Sequence, residues 1–306
     1  MKKFFLKLIS FCLIFPFVWV ISICLFGTIA PRTLQKNLSY IKSPLTYTMN
    51  DLKKTGQVDV VVFGSSHAYR GFDPRIFERK GVRLFNLGSS SQTPIQSKYL
   101  AKKFLNQLNP KTVIIEVYPD MFESDGVEST VDLLSNCPLN EELILHSLKT
   151  KSIRVYNTLI YAIFNYYFNV KNKVETIDLK NEEYIPNGYL QRKTINNDLI
   201  SITKNRIILF NDEQKRAFED LLQLCQSTNC KIYLVQAPVT KGEYFRVNNN
   251  NEIDQYFKSF NCDYLNFNLD SINYTNELFY DSHHLNQKGV ELFNKRFLES
   301  NLENFN

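Results

Sequence analysis

Val58-Asp59-Val60-Val61-Val62-Phe63-Gly64-Ser65-Ser66-His67 decides how the chain folds. A short β-branched run that stops at a glycine reads as a buried strand followed by a tight turn. Val82-Arg83-Leu84-Phe85-Asn86-Leu87, closed by Gly88, repeats the pattern. So does Thr112-Val113-Ile114-Ile115-Glu116-Val117, closed by Pro119. Between the last two, 95–108 carries Leu100, Phe104, Leu105 and Leu108 on one helix face, and Asn109-Pro110 stops it. The alternation resumes downstream. Asn211 or Asp212 caps a helix running to about Ser227, and Lys231-Ile232-Tyr233-Leu234-Val235-Gln236 is the next strand. A helix over 251–260, a short strand over 262–267 and a closing amphipathic helix over 287–298 complete the series. Short apolar strands alternating with helices predict an α/β fold with a doubly wound parallel sheet. Ligands bind such sheets at the C-terminal strand ends. Gly64-Ser65-Ser66, Gly88-Ser89-Ser90 and Glu116-Val117-Tyr118 are therefore expected along one edge.

Outward from this core, the N-terminus sets the compartment. Lys2, Lys3 and Lys7 precede an uncharged apolar run over 8–30. Its 23 residues suffice to cross a bilayer as one helix. The run is too long for a cleaved leader and lacks a small-residue cleavage site, so it reads as a signal anchor over 1–30. The basic flank favours a cytoplasmic N-terminus and an extracytoplasmic domain, although Arg32 and Lys36 on the far side weaken the asymmetry. A polar stalk is expected over 31–57 and the α/β domain over 58–306. The alternation breaks over 122–209, which reads as an insertion packed over the sheet edge. Its aromatic run, Tyr161-Ala162-Ile163-Phe164-Asn165-Tyr166-Tyr167-Phe168, is expected in the core, with a lid or membrane-facing patch as the alternative.

Composition excludes two classes. With 44% hydrophobic and 22% charged residues the chain is not disordered. A net charge of +5, with no basic run interleaved with aromatics, argues against a nucleic-acid partner. Cys137, Cys225, Cys230 and Cys262 lie in the expected extracytoplasmic part, where disulfides are open but not required. Cys225 and Cys230 lack a second pair at metal-ligand spacing, so no metal and no cofactor are expected.

The chemistry concentrates at two distant places. Asp281-Ser282-His283-His284 sets an acid three residues before a histidine, and Ser66 follows the first strand. A serine needs a base within hydrogen-bond reach, the base an orienting acid, and the developing oxyanion preorganised donors. Ser66, His284 and Asp281 supply the first three; the N–H groups of Ser66 and Gly88 are the expected oxyanion donors. Ser65 is the weaker nucleophile and His283 the weaker base. His67, Arg70, Glu116 and His283 are placed on the structural or substrate side. Each signal also has a bland reading: Gly-Ser-Ser is an ordinary turn, and Asn286 alone can cap the closing helix.

These pieces, in this order, resemble the SGNH, or GDSL-like, hydrolase superfamily. Gly64-Ser65-Ser66 matches its first block, Gly88 its second-block glycine, and Asp281-x-x-His284 its last. Ser66-His67 with Gly71-Phe72-Asp73-Pro74, and His284-Leu285-Asn286 with Gly289, are similar to its membrane-anchored branch. That branch includes the D-alanine transfer protein of teichoic acid synthesis and alginate O-acetylation proteins. The resemblance implies a flavodoxin-like three-layer fold and a serine acyl-esterase or O-acyltransferase. It further implies a cell-envelope glycan as substrate and a polytopic membrane acyltransferase as partner. One block departs: Glu116-Val117-Tyr118-Pro119-Asp120 stands where the family has an oxyanion-hole Asn. That departure supports a rival, a non-catalytic glycan-binding or scaffold protein.

Overall fold

The computed structural model describes residues 1–29, 43–169, 181–192, 204–269 and 274–301. Much of the expected stalk and the polar part of the insertion fall outside the described residues. The chain divides into two compact units, one of 1–43 with 130–177 and one of 44–129 with 178–306.

In the first unit the apolar run forms one helix, Lys2–Ile29, with no buried residue. It is long and apolar enough to span a membrane. Trp19 Nε1 donates to Asn157 Oδ1 at 3.2 Å, tying this helix to Ile153–Phe168. The aromatic run divides along that second helix. Tyr161 and Ala162 are buried, as expected, whereas Tyr166, Tyr167 and Phe168 at its C-terminal end are exposed.

The second unit carries the strands β1 (Val60–Phe63), β2 (Leu84–Asn86), β3 (Thr112–Glu116), β4 (Glu182–Ile185), β5 (Tyr189–Arg192), β6 (Lys231–Gln236) and β7 (Asp263–Asn266). Five form one sheet in the order β2-β1-β3-β6-β7, every neighbour parallel. Helices cover both of its faces. All residues of β1 and β3 are buried, which is why these strands are apolar throughout rather than alternating. Val60, Val62, Ile114, Tyr233 and Val235 pack with Phe72, Phe77, Phe293 and Phe297, the last two from the closing helix Gln287–Asn301. Alternate residues, such as Val61 and Val113, face the opposite layer of helices Pro94–Leu108 and Asp212–Gln226. The strand order reverses between β1 and β3, so the ends of these two strands open the crevice where doubly wound sheets bind ligands.

Two features depart from the sequence expectation. Residues assigned to the stalk fold: Pro44–Leu52 is a helix that buries Leu45, Met49 and Leu52. Within the insertion, β4 and β5 pair as an antiparallel hairpin around Asn187-Gly188. Both turn residues have positive φ, and Asn-Gly is the strongest short hairpin signal. All six cysteines are free.

Candidate active site

The turn after β1 is built by a glycine and a carboxylate. Gly64 has φ +144°, and a Cβ there would lie 2.6 Å from Glu116 Cβ at the end of β3. Only glycine permits that approach. Ser65 then donates its N–H and its hydroxyl to Glu116 Oε2, at 3.1 and 2.9 Å. The same Ser65 Oγ accepts from the His67 N–H at 3.2 Å and caps the short helix Ser66–Gly71. Ser65, the alternative nucleophile, is thus a buried cap. Ser66 is left at the first helical position, where a backbone N–H has no intrahelical acceptor.

The histidine loop is held from three directions. Tyr280 N–H donates to the His284 carbonyl, and Asn286 N–H to that of Leu278. Thr240 donates its N–H and hydroxyl to the Ser282 carbonyl, at 3.1 and 2.7 Å. Asn286 Oδ1 accepts from Gly289 N–H and caps the closing helix, as its position suggests. That helix is fixed to the serine segment by Asn294, which donates to the Gly71 carbonyl at 2.6 Å and accepts from Asp73 N–H at 3.0 Å.

The two ends meet across 218 residues: His284 Nε2 lies 2.7 Å from Ser66 Oγ. On the other side of the ring, Nδ1 is 2.9 Å from Asp281 Oδ2. A carboxylate can only accept, so Nδ1 carries the proton and Nε2 is left as the acceptor for the Ser66 hydroxyl. Asp281 Oδ1 also takes the backbone N–H groups of His283 and His284, at 2.9 and 2.7 Å. Against the desolvation that partial burial imposes, the His284 bond and the nearby histidines hold Asp281 well below the usual carboxylate range. Burial lowers His284 from about 6.5 to about 4; the Asp281 bond opposes this, while the positive charges of His283 and Arg70 add to it. Asp281, His283 and His284 are also three potential ligand atoms within 4.8 Å of one another. A cation there would have to displace the His284–Asp281 bond.

The oxyanion side differs from the sequence expectation. Gly88 does not offer its N–H to a reacting oxygen; it donates to Asn86 Oδ1 at 3.0 Å. Asn86 is buried and turns its amide to the Ala68 and Phe72 carbonyls, so its oxygen faces Gly88. Gly88 is glycine for another reason: a Cβ would lie 2.8 Å from Ala68 Cβ and 2.9 Å from Tyr69 N in the Ser66 helix.

The remaining candidates separate. His67 is buried beneath the site rather than on a substrate face, its ring 4.9 Å from His284 and 4.1 Å from Tyr118. Burial and the neighbouring histidines keep it well below the ordinary imidazole value. Glu116 is buried, and desolvation pushes it up to about 7 against its Ser65 bonds. His283 stays at the rim, with 37% of its side chain exposed. Arg70, one helical turn after Ser66, pairs with Glu182 of β4 at 2.7 Å. Sequence reading missed Tyr280, whose ring lies parallel to His284 at 5.3 Å, and Arg192, stacked over Tyr280. Tyr280 stands one residue before the acid of the motif, and Arg192 lies in the segment whose pattern broke.

No family model and no curated protein matches this chain. Solved structures do resemble it, two of them as follows. One, from Bacteroides fragilis NCTC 9343, bears the description "putative acylhydrolase"; it shares 11% identity at a TM-score of 0.43, over 85% of this chain and 96% of its own. The other is a GDSL-like lipase from Bacteroides thetaiotaomicron VPI-5482, with 13% identity at a TM-score of 0.42, over 84% of this chain and 99% of its own. Likeness at that level says nothing about activity.

Proposed function

We propose that the chain is a serine acyl-esterase or O-acyltransferase. The observation that carries this reading is the 2.7 Å contact between Ser66 Oγ and His284 Nε2, with Asp281 behind the ring at 2.9 Å. In this reading Ser66 Oγ attacks an ester carbonyl while its proton passes to His284 Nε2. The C–O bond to the leaving group breaks, and the imidazolium returns the proton to the departing alkoxide. Water, or an acceptor hydroxyl, then gives its proton to His284 and attacks the acyl-serine; the acyl–Oγ bond breaks, and the imidazolium returns the proton to Ser66 Oγ. Hydrolysis and transfer share the acyl-enzyme and differ only in that acceptor. Ser66 N–H is the backbone donor for the oxyanion in this scheme; Gly88 is not.

The envelope setting belongs to the same proposal. The apolar helix Lys2–Ile29 supports a single membrane pass, and the basic N-terminal flank supports a domain on the extracytoplasmic side. A cell-envelope glycan as acyl carrier, and a polytopic acyltransferase as acyl source, rest on the family resemblance alone. The test is fluorophosphonate labelling of the full chain. Wild type is expected to label and Ser66→Ala not to. An unlabelled, folded wild type sinks the enzymatic reading.

The rival, a glycan-binding or scaffold protein of an envelope complex, is favoured by two observations: the Gly88 N–H is already bonded, and the stretch from Glu116 to Asp120 carries no Asn. Full complementation of a deletion by both Ser66→Ala and His284→Ala would establish it.

A further inference from the structure

A cationic pair flanks the candidate nucleophile, and among the described residues its two members share one carboxylate. Arg70 follows Ser66 by four residues on the same short helix, so the two share a face. Arg192 closes β5 of the hairpin. Both guanidinium groups reach the same oxygen, Glu182 Oε1, at 2.7 Å from Arg70 and 3.4 Å from Arg192. Arg70 remains charged: burial opposes it, but Tyr69, Tyr280 and Glu182 outweigh that cost. Glu182 by itself leaves one of the two guanidinium charges without a counter-charge.

That surplus lies beside the chemistry. The Arg192 guanidinium carbon is 4.3 Å from the Tyr280 ring centroid, and the Tyr280 ring lies parallel to His284, within 2°. Arg70 approaches the same ring at 5.9 Å. The Arg70 charge is one of the influences that lower His284. Arg192 is the less satisfied of the pair. Its bond to Glu182 is the longer, its Nε is buried with no hydrogen-bond partner among the described residues, and 30% of its side chain is open to solvent. A guanidinium stacked on an aromatic ring, held by one long carboxylate bond and with part of its side chain open to solvent, is suited to take an oxyanion.

We propose that Arg192, backed by Arg70, forms an anion subsite beside Ser66, which receives a carboxylate or phosphate carried by the acyl ester or its leaving group. The role of the subsite toward an acyl ester rests on the serine-ester reading; the existence of the subsite does not. Tyr280, against which both Arg192 and His284 stack, would couple the two.

The test uses the full chain in detergent with three esters: 4-nitrophenyl acetate, mono-4-nitrophenyl succinate and 4-acetoxybenzoate. The second places the anion on the acyl side and the third on the leaving side, so they distinguish the two sources of negative charge. Wild type is expected to favour one anionic ester over the neutral one in kcat/KM. Arg192→Gln should lower that ratio at least tenfold, and Arg192→Lys should restore part of it. A wild type that prefers the neutral ester, or a ratio that Arg192→Gln leaves unchanged, overturns the proposal. Inorganic phosphate, titrated and followed by phosphorus NMR, gives a readout independent of turnover. Wild type and Ser66→Ala should bind it, and Arg192→Gln at least tenfold more weakly. Phosphate binding without turnover would sink the serine-ester reading and keep the subsite. Turnover of the neutral ester alone, with no phosphate binding, would do the reverse.

Discussion

The two flanks of the Ser66 turn use their hydrogen bonds differently. On the His284 flank the groups form one directed line, from Asp281 through the imidazole to the Ser66 hydroxyl. On the Gly88 and Glu116 flank they are bonded to one another: Gly88 N–H to Asn86, and the Ser65 N–H and hydroxyl to Glu116. The first arrangement readies a nucleophile. The second braces the turn and leaves little to stabilise an oxyanion. Removing one oxyanion donor costs on the order of a hundred- to a thousand-fold in other serine enzymes. Under the proposed function this chain should acylate readily at Ser66 with reactive probes and turn over unactivated esters slowly.

The sharpest way to break the comparison is at the directed line. Ser66→Ala and His284→Ala are each expected to lower ester turnover by about four orders of magnitude or more. Stopped-flow or burst kinetics would measure this, and retention of activity within tenfold would show that the line is not used. Asp281→Asn should come next, with a loss of up to about 10⁴-fold and no loss of fold by circular dichroism. Asn can turn an amide N–H toward the ring and select the wrong tautomer.

Glu116 probes the bracing flank through stability. Its folded value of about 7 stands above the ordinary 4.5, so the folded state binds the extra proton between those values. Stability should therefore fall as pH rises from about 4.5 to 7, by on the order of 3 kcal/mol. Glu116→Gln keeps an acceptor for Ser65 and is expected to flatten that dependence in urea melts. A profile unchanged by the substitution would mean that Glu116 is ionised throughout. The smallest effect expected is a displacement of the acid limb of kcat/KM. An exposed imidazole would place it near 6.5, but burial holds His284 at about 4. Since only neutral His284 accepts the serine proton, activity should persist to about pH 5 and fall below it. A limb at 6.5 would show that the ring is more hydrated than this structure has it.

Much of this was legible from local sequence. Strand burial follows from runs such as Val60 to Phe63, because a strand covered on both faces must be apolar at every position. The Asp281–His284 bond follows from a separation of three residues. The helix over 44–52 was lost among polar neighbours, because only Leu45, Met49 and Leu52 mark its buried face. The hairpin carried a signal, Asn187-Gly188, inside a segment with no other pattern.

By itself, then, the sequence determined which segments form the five-stranded sheet, which face the long flanking helices bury, and which residue types stand at strand ends, since those depend on neighbours within a few positions. Tertiary structure alone decided that Ser66 and His284 touch across 218 residues, and that Arg192 comes to stack on Tyr280. It also decided where the Gly88 N–H points. The glycine is readable as a need for close approach, but the direction of its hydrogen bond depends on how Asn86 settles between the Ala68 and Phe72 carbonyls. Side-chain amides choose partners by the geometry around them, and that geometry exists only once the sheet and its covering helices have packed.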